Sequence, residues 1–140
     1  KPERFDRTWK SKSRYSMDWY YPVLCGVYDA DESKKIIKDK WANFVVPGLG
    51  CKCVEEEPWV TIAETCELIL ALNKIGEKKL ASNLYDEILN LMDKEDNLFW
   101  TGFVYKDQKY WPVEKPSWTA AAVILAANSL FELNSNFDFF

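Results

Sequence analysis

The sequence contains no histidine among its 140 residues. Without an imidazole, this segment cannot supply a Ser-His-Asp or Cys-His nucleophile system. The absence also removes the commonest nitrogen ligand of protein-bound metals. Cys51 and Cys53 are separated by a single lysine, whereas zinc-binding cysteines are usually separated by two to four residues. We therefore predict that the chain binds no metal and needs no cofactor.

Cysteine is scarce as well, with four residues at positions 25, 51, 53 and 66. These positions could form a disulfide pair, but nothing in their spacing requires one. We predict reduced thiols in a cytoplasmic protein. Cys25 and Cys66 are expected to be buried as small apolar side chains.

The chain lacks any run of about 18 apolar residues, the length that a membrane span requires. The longest candidate, residues 120–127, is a short alanine-rich helix. We therefore predict no membrane span. The opening stretch also lacks the apolar segment of a secretory signal. Because the first residue is Lys1 and not Met, we expect a trimmed or truncated chain.

The net charge of −4 argues against a general nucleic-acid binder, so we predict no nucleic-acid partner. Positive charge does accumulate at the start, where residues 1–14 hold six Lys or Arg residues against Glu3 and Asp6. Two interpretations of this basic arm, residues 1–15, remain open. It is either a solvated segment that packs on a neighbouring element or a contact for a polyanion.

Hydrophobic residues make up 48% of the chain and aromatic residues 16%, which is enough to bury a core. Capping residues and 3.6-residue periodicity predict five helices within residues 16–134, at about 18–29, 31–45, 58–75, 77–92 and 117–133. Aromatic residues on both sides of residues 106–108 predict a short β-like hairpin before the last helix. Residues 135–140 form a tail.

The third and fifth predicted helices begin alike. At an offset of 58 residues the matching pairs are Glu56 with Glu114, Pro58 with Pro116, Thr61 with Thr119, and Ala63 with Ala121. The first, third and fifth helices are rich in small and apolar residues, whereas the second and fourth have one charged face. This alternation is what an inner and an outer ring require. We predict an all-α fold, an (α/α) toroid of helical hairpins that comprises about half a ring.

Five stretches carry a family resemblance, and three of them are SRYSMDWYYPVL at 13–24, FVVPGLG at 44–50 and WTAAA at 118–122. With PWVT at 58–61 and AETCEL at 63–68, they resemble the C-terminal part of a bacterial prenyltransferase-like family. That family is similar to the six-hairpin glycosidases. The resemblance covers about residues 12–133. It implies that further hairpins come from sequence before this segment or from a second copy, so we expect missing N-terminal hairpins or a homo-oligomer.

In such a ring the cleft is lined by the starts of the inner helices. Aromatic faces there can pack on the C–H side of a sugar, and paired carboxyl groups can act as acid and base on a glycosidic bond. The candidate catalytic residues are Asp18, Glu64 and Glu114. The candidate substrate-binding residues are Trp19, Tyr21, Glu56, Trp59, Trp100, Trp111 and Trp118. Glu67 lies three positions after Glu64 and shares its helix face.

Each candidate also has a structural interpretation. Asp18 can simply cap a helix, Glu56 belongs to a three-acid run that is typical of solvated surface, and tryptophans are more often core than platform. We predict a small-molecule substrate, a sugar or an isoprenoid, with a carbohydrate-active, glycoside hydrolase-like function first. The second possibility is prenyltransferase or terpenoid-cyclase chemistry, although the chain has neither a His-containing zinc set nor an Asp-rich acid motif. The third is a non-catalytic helical binding module.

Overall fold

The computed structural model describes residues 11–133, which form five helices and two small antiparallel sheets. In chain order the elements are α1 (Ser16–Leu24), α2 (Ala30–Phe44), β1 (Val45–Val46), β2 (Gly50–Cys51), β3 (Trp59–Thr61), α3 (Ile62–Lys74), α4 (Lys78–Leu89), β4 (Gly102–Val104), β5 (Lys109–Tyr110) and α5 (Ser117–Phe131). Most of the basic arm predicted at residues 1–15 and the tail predicted at 135–140 lie outside the described residues.

The prediction of an all-α toroid is wrong, because the described part of the chain has a mixed fold. β1 pairs with β2, and β3, β4 and β5 form a second antiparallel sheet in that order. Residues 59–61 explain much of the error. These residues have apolar or β-branched side chains, and their backbone pairs with β4. They therefore form a strand where the sequence predicts the first turn of a helix. The third helix therefore begins at Ile62, after the strand, and not at Pro58.

Local capping also shifts the first two helices. α1 begins at Ser16 and ends at Leu24, where the chain turns through Gly26 at a φ of +70°. α2 is capped by Asp29, whose side chain accepts a hydrogen bond from the backbone N–H of Glu32 at 2.9 Å. Asp18, for which the sequence also allows a capping role, instead lies in the first turn of α1.

Three helices lie side by side in the same direction, with α3 in the middle. α1 lies along α3 because Tyr20 contacts Glu67, and the last carbonyl of α1, at Leu24, accepts from Lys74 Nζ at 2.8 Å. α5 lies along the other side, where Asn73 Nδ2 donates to the Ser129 carbonyl at 2.8 Å. The N-terminal ends of α1, α3 and α5 therefore meet at one end of the molecule.

The core forms on the back of α3. Leu68, Ile69 and Leu72 are fully buried there, in one cluster with side chains of α4 and aromatic side chains of α1 and α2. Burying each such side chain stabilises the fold by roughly 1.5–3 kcal/mol. None of the helices within residues 11–133 is both long and apolar enough to cross a membrane. The front of α3, towards α1 and α5, is less completely covered.

All four cysteines are free. Cys66 is buried as expected, whereas Cys25 is exposed because α1 ends just before it. The prediction that Cys25 is buried is therefore wrong. Cys51 is buried at the end of β2.

Thr65 connects the first sheet to α3. Its hydroxyl donates to the Thr61 carbonyl at 2.6 Å and accepts from the backbone N–H of Cys51 at 2.8 Å. The chain passes so close at Gly50 that a Cβ there would lie 2.7 Å from Thr65 Oγ1. Because Gly50 also has a φ of +114°, only glycine fits well at this position. This junction fixes the loop 52–58 beside the N-terminal end of α3.

We predict that Thr65→Val destabilises the protein by about 1–3 kcal/mol, because it leaves the buried N–H of Cys51 without an acceptor. Thr119→Val is a matched control, since Thr119 is fully buried and its hydroxyl has no hydrogen-bond partner among residues 11–133. The control should be neutral or stabilising. Urea unfolding of both variants measures the difference, and equal losses of stability would contradict the assignment of Thr65.

Candidate active site

Glu67 is the most strongly constrained carboxyl group on the front of α3. Its Oε2 accepts a hydrogen bond from the Tyr20 hydroxyl at 2.5 Å, and its Oε1 accepts from the Tyr21 hydroxyl at 3.1 Å. Tyr20 is fully buried, whereas Tyr21 and Glu67 are partly exposed. Two donors on α1 therefore fix the position of one acid on α3.

Burial raises the pKa of Glu67, and the negative charge of Glu64 raises it further. The hydrogen bonds from Tyr20 and Tyr21 oppose this shift, because they stabilise the carboxylate, but the pKa stays above its ordinary value. Burial and the charge of Glu67 in turn raise the pKa of Tyr21 to about 12. Glu67 therefore keeps its proton to a higher pH than an exposed glutamate does.

Glu64 lies one turn before Glu67 and has a partner from the preceding loop. The side chain of Cys53 lies beside that of Glu64. Burial, followed by the charge of Glu64, raises the pKa of Cys53 to about 12, so this thiol is protonated at neutral pH and can donate. Two carboxyl groups on neighbouring turns of α3 thus have polar neighbours outside their own helix.

Asp18 lies at the same end of the molecule. It is half-buried in the first turn of α1, one turn before Tyr21. Residues three apart share a helix face, so Asp18 is on the side of α1 that carries Tyr21. Since α1 and α3 run in the same direction, Asp18 and Glu64 both occupy first turns at the common N-terminal end.

A cavity of about 490 Å³ lies between α1, α3 and α5. Glu67 contributes to its wall from α3, beside Tyr21 from α1 and Trp118 from α5. Trp118 is 59% exposed, so its indole can contact a ligand. Leu24, Leu70 and Leu125 supply apolar wall. The cavity therefore combines one acid with aromatic and aliphatic surface.

Glu114 lies near the N-terminal end of α3, to which Thr101 connects it by backbone hydrogen bonds. The Thr101 carbonyl accepts from the N–H of Ile62 at 3.1 Å, and the Thr101 N–H donates to the Glu114 carbonyl at 3.2 Å. The exposed side chain of Glu114 also accepts from Thr101 Oγ1 at 3.2 Å. Glu114 thus lies at the expected end of the molecule, although none of its described contacts is with another carboxyl group.

Trp59 and Trp111 form an edge-to-face pair with ring centroids 5.1 Å apart. The indole N–H of Trp59 donates to the Trp111 carbonyl at 2.8 Å, and Trp111 is 53% exposed. Trp100 is more fully engaged, because Tyr110 stacks on it at 5.0 Å and Lys115 Nζ lies 4.2 Å from its ring centroid. The first pair offers aromatic surface to a ligand, whereas the Trp100 ring already has two neighbours.

Five of the seven predicted binding residues are not among those that line the cavity: Trp19, Glu56, Trp59, Trp100 and Trp111. Trp19 is 3% exposed, stacks on Phe44 at 5.3 Å and donates from Nε1 to the Ile36 carbonyl at 2.9 Å. This placement in the core, between α1 and α2, corrects the prediction that Trp19 contacts substrate. Glu56 is exposed in the loop 52–58 and pairs with Arg14, so its described contact belongs to the surface.

Of the predicted site residues, Asp18, Tyr21, Glu64 and Trp118 lie on the three helices at the front of α3. Glu67 and Tyr20 were not among the predicted site residues. The spacing of Glu67 from Glu64 and the Tyr20-Tyr21 pair are the two sequence features that could have indicated them. Cys53 gave no such signal, because its spacing from Cys51 does not fit a zinc site and indicates no other role. No group of three or more His, Cys, Asp or Glu residues in the described part of the chain is arranged to hold a metal ion.

No protein family model matches the chain. The chain is 50% identical over 120 residues to an MMP endo-(1,4)-3-O-methyl-alpha-D-mannosidase from Mycolicibacterium hassiacum. The aligned region covers 86% of this chain and 33% of that protein, so the chain spans about a third of the length of this relative. The resemblance to a prenyltransferase-like family and the expected self-association stay predictions.

We predict that Glu67→Gln leaves the protein at least as stable as the parent at pH 7. The raised pKa means that the ionised form of Glu67 is disfavoured in the folded state. Its destabilising effect is absent at low pH and grows as the pH rises from the unfolded-state pKa through the folded-state pKa. For each unit by which the folded-state pKa of Glu67 exceeds its unfolded-state pKa, ionisation lowers the free energy of unfolding by at most about 1.4 kcal/mol. Glutamine stays neutral and can still accept from Tyr20.

Thermal unfolding between pH 4 and pH 8 measures this effect. The melting temperature of Glu67→Gln relative to the parent should rise with pH. Glu57→Gln, at an exposed position in the loop 52–58, is the control and should follow the parent throughout. A Glu67→Gln variant that is markedly less stable than the parent at pH 7 would contradict the assigned electrostatics.

Proposed function

We propose that this chain contributes acid and base groups to the active site of a glycoside hydrolase. The observation that carries the proposal is the half-buried carboxyl group of Glu67, which has a raised pKa and lies in the wall of a cavity that also contains Tyr21 and Trp118. A general acid must hold its proton near the working pH, and burial is the usual way to achieve this. An exposed indole beside that acid provides the stacking surface that a sugar ring needs.

In the proposed reaction Glu67 is the general acid. Its Oε1 faces the cavity side, because the Tyr21 that binds Oε1 lines the cavity. Glu67 transfers its proton to the glycosidic oxygen as the bond between that oxygen and the anomeric carbon breaks. In an inverting reaction, a second carboxylate removes a proton from the water that attacks the anomeric carbon. In a retaining reaction, it bonds to the anomeric carbon as the glycosidic bond breaks, and a water deprotonated by Glu67 then cleaves that bond and frees the carboxylate. Asp18 on α1 and Glu64 on α3 are the two candidates for this second role.

The proposed substrate is an α-(1,4)-linked oligosaccharide of 3-O-methylmannose, cleaved at internal bonds. The support is the name of the relative from Mycolicibacterium hassiacum, an endo-(1,4)-3-O-methyl-alpha-D-mannosidase, and the 50% identity over 86% of this chain. Since that relative is about three times as long as the aligned region, the test uses the full-length protein that contains this sequence.

The test is hydrolysis of α-(1,4)-linked 3-O-methylmannose oligosaccharides, with the products separated by chromatography and weighed by mass spectrometry. The parent should release internal fragments. Glu67→Gln should lower kcat by about 10²–10⁴-fold, the usual contribution of a general acid. Glu57→Gln should keep parental activity. Of Asp18→Asn and Glu64→Gln, the variant with a comparable loss identifies the second carboxylate.

A folded parent protein that cleaves none of these oligosaccharides would contradict the proposal, and so would a fully active Glu67→Gln. Farnesyl diphosphate is included as a competing ligand. If it alone quenches the tryptophan fluorescence, isoprenoid chemistry replaces carbohydrate chemistry as the function. If sugars bind tightly but are never cleaved, a binding module replaces the enzyme.

A further inference from the structure

The cavity between α1, α3 and α5 has walls of two kinds. Leu24, Leu70 and Leu125 present hydrocarbon, and Ala121 and Ala122 add small apolar positions on α5. The two oxygen-bearing side chains of its wall, Glu67 and Tyr21, lie together, because Tyr21 donates a hydrogen bond to Glu67. A ligand that fits must therefore be apolar over most of its buried surface and polar along one side.

An unmodified hexose does not meet this requirement well. Each hydroxyl that it turned towards the leucine walls would lose hydrogen bonds to water and gain none. A purely hydrocarbon ligand does not meet it either, because it would bury the carboxyl group of Glu67 further without offering a polar partner. The volume, about 490 Å³, lies within the range of small-molecule sites.

We propose that this cavity is a subsite that recognises the 3-O-methyl ether of a methylated hexose. The inference rests on the proposed function, because it takes the methylated sugar from there, and adds the residues that select the methyl group. The methyl ether lies against Leu70, Leu125 and Ala121, and the ring hydroxyls remain on the side of Glu67 and Tyr21. Trp118 covers the C–H face of the ring from the exposed side.

The subsite selects the methyl ether because its apolar wall offers no hydrogen-bond partner to a free hydroxyl. A methyl ether cannot donate, so it loses little when it enters an apolar pocket, whereas the corresponding hydroxyl would have to give up its water. Burying one methyl group favours binding by about fourfold, and the desolvation of the hydroxyl in the competitor widens the difference.

Calorimetry on the full-length protein tests this, with methyl 3-O-methyl-α-D-mannoside and methyl α-D-mannoside as probes. The parent should bind the methylated probe at least about fourfold more tightly. Ala121→Leu fills the cavity from an exposed position on α5, so it should remove the preference without affecting folding. Ala42→Leu makes the same change at an exposed position of α2 and should leave the preference intact. Leu125→Ala, which removes wall without adding bulk, should lower the affinity for the methylated probe only.

The outcomes separate this inference from the proposed function. If the parent cleaves methylated and unmethylated oligosaccharides equally and binds both probes alike, the subsite is overturned while the hydrolase stands. If the parent cleaves nothing but shows a methyl preference that Ala121→Leu removes, the subsite stands and the hydrolase fails. A preference that survives in both Ala121→Leu and Leu125→Ala places methyl recognition elsewhere and overturns the inference.

Discussion

The hydrogen bond from Tyr20 to Glu67 joins α1 to α3 inside the protein, and the arrangement of the candidate site depends on it. A carboxyl group withdrawn from water needs a partner, and Tyr20 is fully buried, so the donor has little freedom to move. The bond sets the position of α1 along α3. It also leaves Oε1 of Glu67 to Tyr21, on the side of the cavity. Packing, proton affinity and access to a ligand are thus determined by one contact between two helices.

The remaining elements place partners around this contact. Thr65 ties β2 to the beginning of α3, which brings Cys53 within reach of Glu64. On the other side, Thr101 links the start of α3 to the segment before α5, and so places Trp118 at the cavity. The short strands therefore position the N-terminal ends of helices. The proposed catalysis and the proposed methyl recognition use the same three helices, and both involve Glu67, the residue that also joins α1 to α3.

The sequence was informative about helices and much less so about strands. Periodicity and capping signals predict five helices because each one buries a single face, and all five are present with shifted ends. Residues 59–61 form a strand through pairing with distant residues 102–104, which no local signal contains. For the site, spacing predicts that Glu64 and Glu67 share a face. Spacing could not predict that Trp19 lies in the core while Tyr21, two residues later, lines the cavity. The position of Trp19 depends on its contacts with Ile36 and Phe44 of α2, which are distant in sequence.

The most direct test of the central claim is a carbon-13 NMR titration of the Glu67 side-chain carboxyl, assigned by the loss of its signal in Glu67→Gln. We expect a pKa above the ordinary glutamate value, because burial and the charge of Glu64 outweigh the two tyrosine hydrogen bonds. In Tyr21→Phe, where one stabilising donor to the carboxylate is lost, the pKa should rise further. A Glu67 pKa at or below the ordinary value, unchanged in Tyr21→Phe, would contradict the claim.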